Sequence, residues 1–216
     1  MKREQLGKII MDLPPDLEKN NPRNSEGAFM QLANGEIIYV YSKFKGSSGA
    51  DHATSDLAIL RSTDGGNTFG NEKIITTCEE EKGVNIMSLS LLEMKNGDIG
   101  LFYLVRTTYT LLQMFVKRSS DGGHTWGERV LCTPCEGFFV VNNDRVIRLA
   151  SGRIIIPAAR HTTGWSGSAD SGSRYFDSQS EVVFFYSDDD GYTWKQSADK
   201  CSMPYHTYNS AGLQEP

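Results

Sequence analysis

The sequence predicts an all-β fold built from repeats, and three observations carry that expectation. A five-point pattern, S-x-D-x-G-x-T-[W/F], occurs at Ser62–Phe69, Ser119–Trp126 and Ser187–Trp194, its central aspartates 57 and then 68 residues apart. Turn dipeptides divide pairs of short apolar runs, and no segment carries a 3.6-residue apolar stripe over three turns. Glycine is abundant, 21 of 216 residues against 7 prolines, as many tight turns between strands require. A repeat at this spacing indicates a solenoid, a propeller or an array.

Taken in order, residues 1–20 are polar and weakly patterned, an arm or lead-in. Ala28–Ala33 and Glu36–Ser42 flank Asn34-Gly35, a strong short hairpin signal. The device returns as Leu89–Met94, Asn96-Gly97, Asp98–Tyr103, and again as Asp144–Leu149, Ser151-Gly152, Arg153–Ala158. A further β run follows each hairpin, at Asp56–Arg61, Leu111–Arg118 and Glu181–Tyr186, and each ends in the repeated pattern. The pattern has a local physical reading. Its Asp accepts hydrogen bonds from backbone N–H groups of its own turn, its Gly supplies positive φ, and its aromatic anchors the corner.

Composition removes several function classes. With 23% charged and 10% aromatic residues the chain is not disordered, and a chain of this size buries roughly 70% of its unfolded surface. No run of 18 apolar residues exists, so no membrane partner is expected. A net charge of −5 without a basic stretch argues against nucleic acid. The start, MKREQLGKIIMDLPPD, has no apolar secretory core and no small-residue cleavage site, which points to the cytoplasm.

Two tempting motifs reduce to structure. Cys132-Thr-Pro-Cys135 lies between β patterns and lacks the second pair that zinc needs, so it reads as a loop with two thiols. The acid-rich Asp188–Gly191 lacks the glutamate at the twelfth position of a calcium loop and its flanking helices, so it reads as turn chemistry. No metal and no cofactor are expected.

The repeated pattern resembles the Asp box of the bacterial neuraminidase repeat, and the hairpin, third strand, Asp box and fourth strand resemble one blade of a sialidase propeller. The resemblance covers roughly residues 21–216. It implies a six-bladed β-propeller of four-stranded antiparallel blades, incomplete here, with about three blades and the start of a fourth. It implies a retaining exo-α-sialidase that cleaves terminal sialic acid from glycoconjugates, with a carbohydrate as partner.

By the same resemblance Arg23, in Asn21–Gly27, is the first of three arginines that clamp the sugar carboxylate. A guanidinium fork suits that task because it pairs a carboxylate bidentately and stays charged. Asn24-Ser25 follow it where sialidases carry Ile-Pro. Asp51, beside His52 and ahead of Leu57–Arg61, matches the general acid/base, with Asp56 as its competitor. Lys43 falls near a second basic position. Asn85 opens the second inner strand, and Asn143, Asp144 and Arg145 open the third, where polar groups meet ligand hydroxyls or form a polar turn. Glu215 matches the glutamate that serves as base for a tyrosine nucleophile. Tyr205 and Tyr208 precede it and do not match the nucleophile's position; that tyrosine and two further arginines are expected beyond Pro216. The 216 residues by themselves are accordingly expected to be inactive and, through open strand edges, aggregation-prone. Two alternatives stand beside the sialidase reading: a propeller glycosidase acting on another sugar, and a non-catalytic propeller that binds a glycan or a protein.

Overall fold

A computed structural model describes residues 7–166, 173–204 and 212–216; Tyr205 and Tyr208 lie outside them. Strands β1 (Asn24–Gln31), β2 (Ile37–Phe44), β3 (Ser55–Ser62) and β4 (Gly70–Thr76) pair antiparallel in chain order as a four-stranded sheet. β5 (Asn85–Glu93), β6 (Ile99–Arg106), β7 (Leu112–Ser119) and the short β8 (Val130–Leu131) repeat that order. After β9 (Phe138–Val140), a third run of the same kind is made by β10 (Ile147–Arg148), β11 (Ile154–His161), β14 (Glu181–Ser187) and β15 (Lys195–Cys201). Between β11 and β14 the chain forms an extra hairpin, β12 (Thr163–Ser166) with β13 (Ser173–Phe176). β9 lies antiparallel to β11 and parallel to β7 through Leu112 and Phe138, which merges the second and third runs into one nine-stranded sheet.

The three sequence-predicted hairpins close with one bonding scheme. The N–H groups of Gly35, Gly97 and Gly152 donate to the carbonyls of Leu32, Met94 and Leu149 at 2.8, 2.9 and 2.8 Å. The repeated pattern folds as its residues dictate. Asp64 Oδ1 accepts from the N–H groups of Asn67 and Thr68 at 3.0 and 2.9 Å, and Thr68 Oγ1 donates to Oδ2 at 2.7 Å. Asp121 and Asp189 do the same with Thr125 and Thr193. The aromatics turn inward: Phe69 and Trp126 are half-buried, while Trp194 is buried and donates from Nε1 to the Gly191 carbonyl at 3.0 Å.

β6 explains how the runs stack. Its sequence, IGLFYLVR, is apolar without alternation, as a strand covered on both faces requires. Leu101, Tyr103 and Val105 point into a core shared with Ile38, Val40, Leu57 and Ile59 of the first sheet. Phe102 and Leu104 point the other way, into a core shared with Ile154, Ile156, Val183 and Phe185. The middle run is therefore sandwiched between its neighbours. The N-terminal segment is more than a lead-in, since Met11 and Leu13 pack against Tyr41, Ala58 and Leu60 on the far face of the first sheet.

The two strands that start nearest the cavity described below are both irregular. β1 shifts register between Asn24 and Gly27, and β5 between Met87 and Ser90, where Ser88 takes φ 59°. At Gly27 a Cβ would meet the Val40 carbonyl oxygen at 1.9 Å, so only glycine fits there. Bulges of this kind re-aim side chains and are common beside active sites.

Candidate active site

A cavity of about 380 Å³ opens where β1 and β5 begin, and the loops joining second to third strands gather around it. Arg23 and Glu26 come from the start of β1, Asn85, Met87 and Ser88 from the start of β5, and Asp51 and His52 from the β2–β3 loop. Asn142, Asn143 and Glu215 close one side, and Phe138 and Phe176 supply an aromatic wall with Leu104 and Leu112.

Arg23 is held at several points. Its Nη1 donates to Asp51 Oδ1 at 2.5 Å and to the Gly49 carbonyl at 3.1 Å, its Nη2 donates to Ser25 Oγ at 2.8 Å, and its guanidinium lies 4.7 Å from the Phe44 ring centre. Asp51 keeps 80% of its side chain in solvent, so its carboxylate can part from Arg23 at little cost. Asn85 is buried and directs Nδ2 to the Ala53 carbonyl at 2.6 Å and to Ser55 Oγ at 3.2 Å. Its amide therefore ties down the loop that carries Asp51. Glu215 arrives because the segment before it is pinned: Ser180 Oγ donates to the Leu213 carbonyl at 2.6 Å, and Glu215 Oε2 accepts from Asn142 Nδ2 at 3.3 Å.

Five of the seven sequence-predicted residues, Arg23, Asp51, Asn85, Asn143 and Glu215, thus line one cavity. Asp144 and Arg145 are exposed and stand outside its wall. Their segment splices the third run to the β5 bulge. Asn143 Oδ1 accepts from Leu89 N–H at 3.0 Å, Asp144 N–H donates to the Leu89 carbonyl at 2.8 Å, and Arg145 N–H donates to Ser90 Oγ at 3.1 Å. Asp56 pairs with Lys45 at 2.8 Å and accepts from Cys78 N–H, which makes it a strut of the first sheet. Lys43 pairs with Glu72 and does not line the cavity.

Sequence reasoning missed Arg106, Phe138 and Phe176. Arg106 ends the apolar run of β6, and its guanidinium lies 5.4 Å from the Phe138 ring centre. A charge closing an otherwise buried strand was the available signal. The two phenylalanines come from β9 and the inserted hairpin, which no local pattern announces.

The motifs set aside in the sequence stay outside this chemistry. Asp188 is paired by Arg153 at 2.7 Å and Asp190 by Arg148 at 2.7 Å. Among the described residues no group of three or more His, Cys, Asp or Glu could hold a metal ion. All four cysteines are free thiols, and burial pushes the Cys132 thiol well above the usual range.

An all-β sheet array with a cavity at one end, walled by two arginines, three acids and aromatic rings, has the mixed polar and apolar lining of a small-molecule site on a repeat fold. Sequence comparison identifies the repeat: the BNR repeat-like domain matches residues 20–209, and the chain belongs to that family. No curated protein sequence matches. Among solved structures, the Hadza microbial sialidase Hz136 superposes with a TM-score of 0.63 at 19% identity, over 86% of this chain and 39% of its own. The NanB sialidase from Streptococcus pneumoniae gives 0.61 at 12% identity, over 93% and 47%. An α-L-arabinofuranosidase from Fusarium graminearum gives 0.51 at 16% identity, over 79% and 49%. The all-β fold is thus similar to that of these glycosidases, and the chain spans about half or less of these structures.

Proposed function

We propose that this chain is the part of a retaining exo-glycosidase of sialidase type that carries the acid/base, with its three antiparallel runs as consecutive blades of a six-bladed propeller. The observation that carries the reading is the Arg23–Asp51 pair, 2.5 Å apart at the mouth of a cavity that Glu215 also lines. In this reading Arg23 takes the carboxylate of an acidic sugar in place of Asp51. The displaced Asp51 carboxylate takes up a proton from solvent, passes it to the departing glycosidic oxygen as the bond to the sugar breaks, and as a carboxylate afterwards takes a proton from the attacking water. Glu215 is the base for the nucleophile. Among the described residues no tyrosine lines this cavity, so the nucleophile itself is not assigned to this chain.

Binding rather than turnover is therefore the test. Titration of the chain with sialic acid, followed by calorimetry, is expected to give binding that Arg23→Ala weakens at least tenfold, with Arg23→Lys recovering only part of it, because lysine lacks the planar fork. Binding unchanged by Arg23→Ala would end this reading.

One observation favours a second reading, a propeller glycosidase for another sugar. Ser25 Oγ accepts from Arg23 Nη2 at 2.8 Å and so engages one of the two nitrogens a bidentate carboxylate clamp would use. The arabinofuranosidase shares the fold. A panel of free sugars in the same titration separates the two, since a neutral sugar bound in preference to sialic acid selects the second.

A further inference from the structure

The ring of Phe176 walls the cavity, yet it stands on the inserted hairpin, which pairs with no other strand of the described sheets. A two-stranded ribbon of four-residue strands is marginal by itself, so contacts at its base must set where that ring points. We propose that His161 is the latch at this base: it holds Phe176 against the cavity and so acts as a positioning residue for the sugar. The proposal takes its ligand from the glycosidase reading above, while the geometry of the latch stands without it.

Placement is the first argument. His161 is the last residue of β11, lies opposite Phe138 of β9 and is 6% exposed. The chain leaves β11 through Thr162 into the hairpin and returns at Asp177, whose N–H donates to the Thr162 carbonyl at 2.9 Å. His161 therefore stands at the neck through which both strands of the insertion pass.

Hydrogen bonding is the second argument. His161 Nδ1 lies 2.9 Å from the Asp177 carbonyl oxygen. A carbonyl oxygen is an acceptor, so Nδ1 carries the proton and donates to the residue that follows Phe176. Asp177 is itself fixed, since its Oδ1 accepts from the Gln179 N–H at 2.9 Å.

Ring contact is the third argument. The imidazole is stacked on Phe176, with centres 4.8 Å apart and planes at 23°, and meets Phe138 edge to face at 6.2 Å. Phe138 and Phe176 meet edge to face at 5.5 Å. Three rings thus close a triangle in which two line the cavity and His161 backs them. Thr163 Oγ1 also donates to the Thr110 carbonyl at 3.4 Å, but that bond holds the first strand of the hairpin. Of these contacts, His161 grips both the Phe176 ring and the backbone beside it.

Two near-isosteric substitutions divide the latch. His161→Phe keeps a ring to stack and leaves the Asp177 carbonyl without its donor; His161→Asn keeps a donor near the Nδ1 position and loses the ring. In the sugar-free 216-residue chain, long-range nitrogen-15 NMR is expected to show His161 protonated at Nδ1. Both variants are expected to quicken amide exchange at residues 163–166 and 173–177 roughly fivefold or more, while β11 and β14 stay protected. In a titration with sialic acid each is expected to weaken binding roughly fivefold, the scale of one lost hydrogen bond or ring contact. Neither should weaken it further in the background of Phe176→Ala, because His161 acts through that ring. Either variant carries these readings if the other fails to fold. Protonation at Nε2 alone, unaltered exchange in the hairpin, or losses that add to that of Phe176→Ala would each overturn the proposal. Should the chain bind no sialic acid, the glycosidase reading falls, while the tautomer and the exchange rates still decide whether His161 holds Phe176.

Discussion

The guanidinium of Arg61 crosses from the end of β3 to the backbone of the next repeat, where its Nη2 donates to the Gly122 carbonyl at 2.9 Å. Arg118, the residue at the same place one repeat later, donates from Nη2 to the Asp190 carbonyl. Each arginine precedes the serine of its own turn pattern and grips the pattern of the following run. The repeated corner is thus also a handle between repeats. Tyr186 holds the corresponding place before Ser187, so the third run has no such arm.

Arg61→Ala is expected to destabilise the fold by about 2–4 kcal/mol, because a buried guanidinium that also pairs Glu36 at 3.1 Å leaves a carboxylate and a carbonyl without their donor. Arg61→Lys should recover less than half, since one ammonium cannot reach both acceptors in fork geometry. Urea unfolding of the three proteins measures this. A loss below about 0.5 kcal/mol for the alanine variant would show that the handle is ornamental.

Acid should loosen the same corners. The Thr68 backbone N–H and hydroxyl, with Ser62, hold Asp64 down to a pKa of about 2, and at Asp189 the bonds from Thr193 outweigh desolvation to reach about 2. Hydrogen bonds from Thr125 lower Asp121 in the same direction. These carboxylates start from 3.8, so their stabilisation is complete above about pH 4 and is lost as pH falls toward 2. Asp121→Asn is expected to lower Tm by roughly 2–4 °C at neutral pH, the scale of a lost capping group, and to flatten the fall in Tm between pH 4 and 2. A variant with an unchanged acid slope would remove the carboxylate from this account.

The parts legible in the sequence are those whose physics is local. Asn34-Gly35, Asn96-Gly97 and the three turn patterns specify their own bonds within a few residues, and each folds as read. The apolar run of β6 foretold a strand, but its burial on both faces depends on neighbours far along the chain. Arg23, Asp51 and Glu215 were reached by resemblance of motif and order, and they meet in one cavity. Asp144 and Arg145 show where polarity misleads. A polar cluster at a strand mouth serves a ligand or a turn equally well, and here the backbone of that cluster is bonded to Leu89 and Ser90. Phe138 and Phe176 were out of reach, because β9 is a three-residue strand defined only by its partners β7 and β11, and the hairpin bearing Phe176 has no counterpart in the other runs.

The thiols give a prediction independent of any ligand. Cys201 is exposed, Cys135 is half-buried with its thiol raised by desolvation, and Cys78 is buried and raised to about 11. In the native protein one thiol, Cys201, is expected to react promptly with a neutral-pH disulfide reagent, Cys135 more slowly, and Cys78 and Cys132 only on unfolding. Mass spectrometry of the labelled sites checks the order. Early labelling of Cys132 would contradict its place in the core shared with Met114 and Phe139.

The last prediction concerns Asn85, whose side chain lines the cavity yet spends its amide on Ala53 and Ser55. It is a positioning residue in this geometry: it fixes the base of the loop from which Asp51 reaches Arg23. Asn85→Ala removes two buried hydrogen bonds, for which about 1–3 kcal/mol of stability is expected to be lost. A structural role alone would stop there. A positioning role predicts in addition that amide exchange quickens at residues 50–54 while β2 and β3 stay protected, and that sialic acid affinity falls severalfold with the fold intact. Asn85→Asp, which keeps the shape but presents no donor to the Ala53 carbonyl when ionised, should reproduce the faster exchange. If exchange at the loop is unaltered while sugar binding falls, Asn85 contacts the sugar directly, and the loop is held by its own Ala53 N–H to Ala50 carbonyl bond at 2.8 Å.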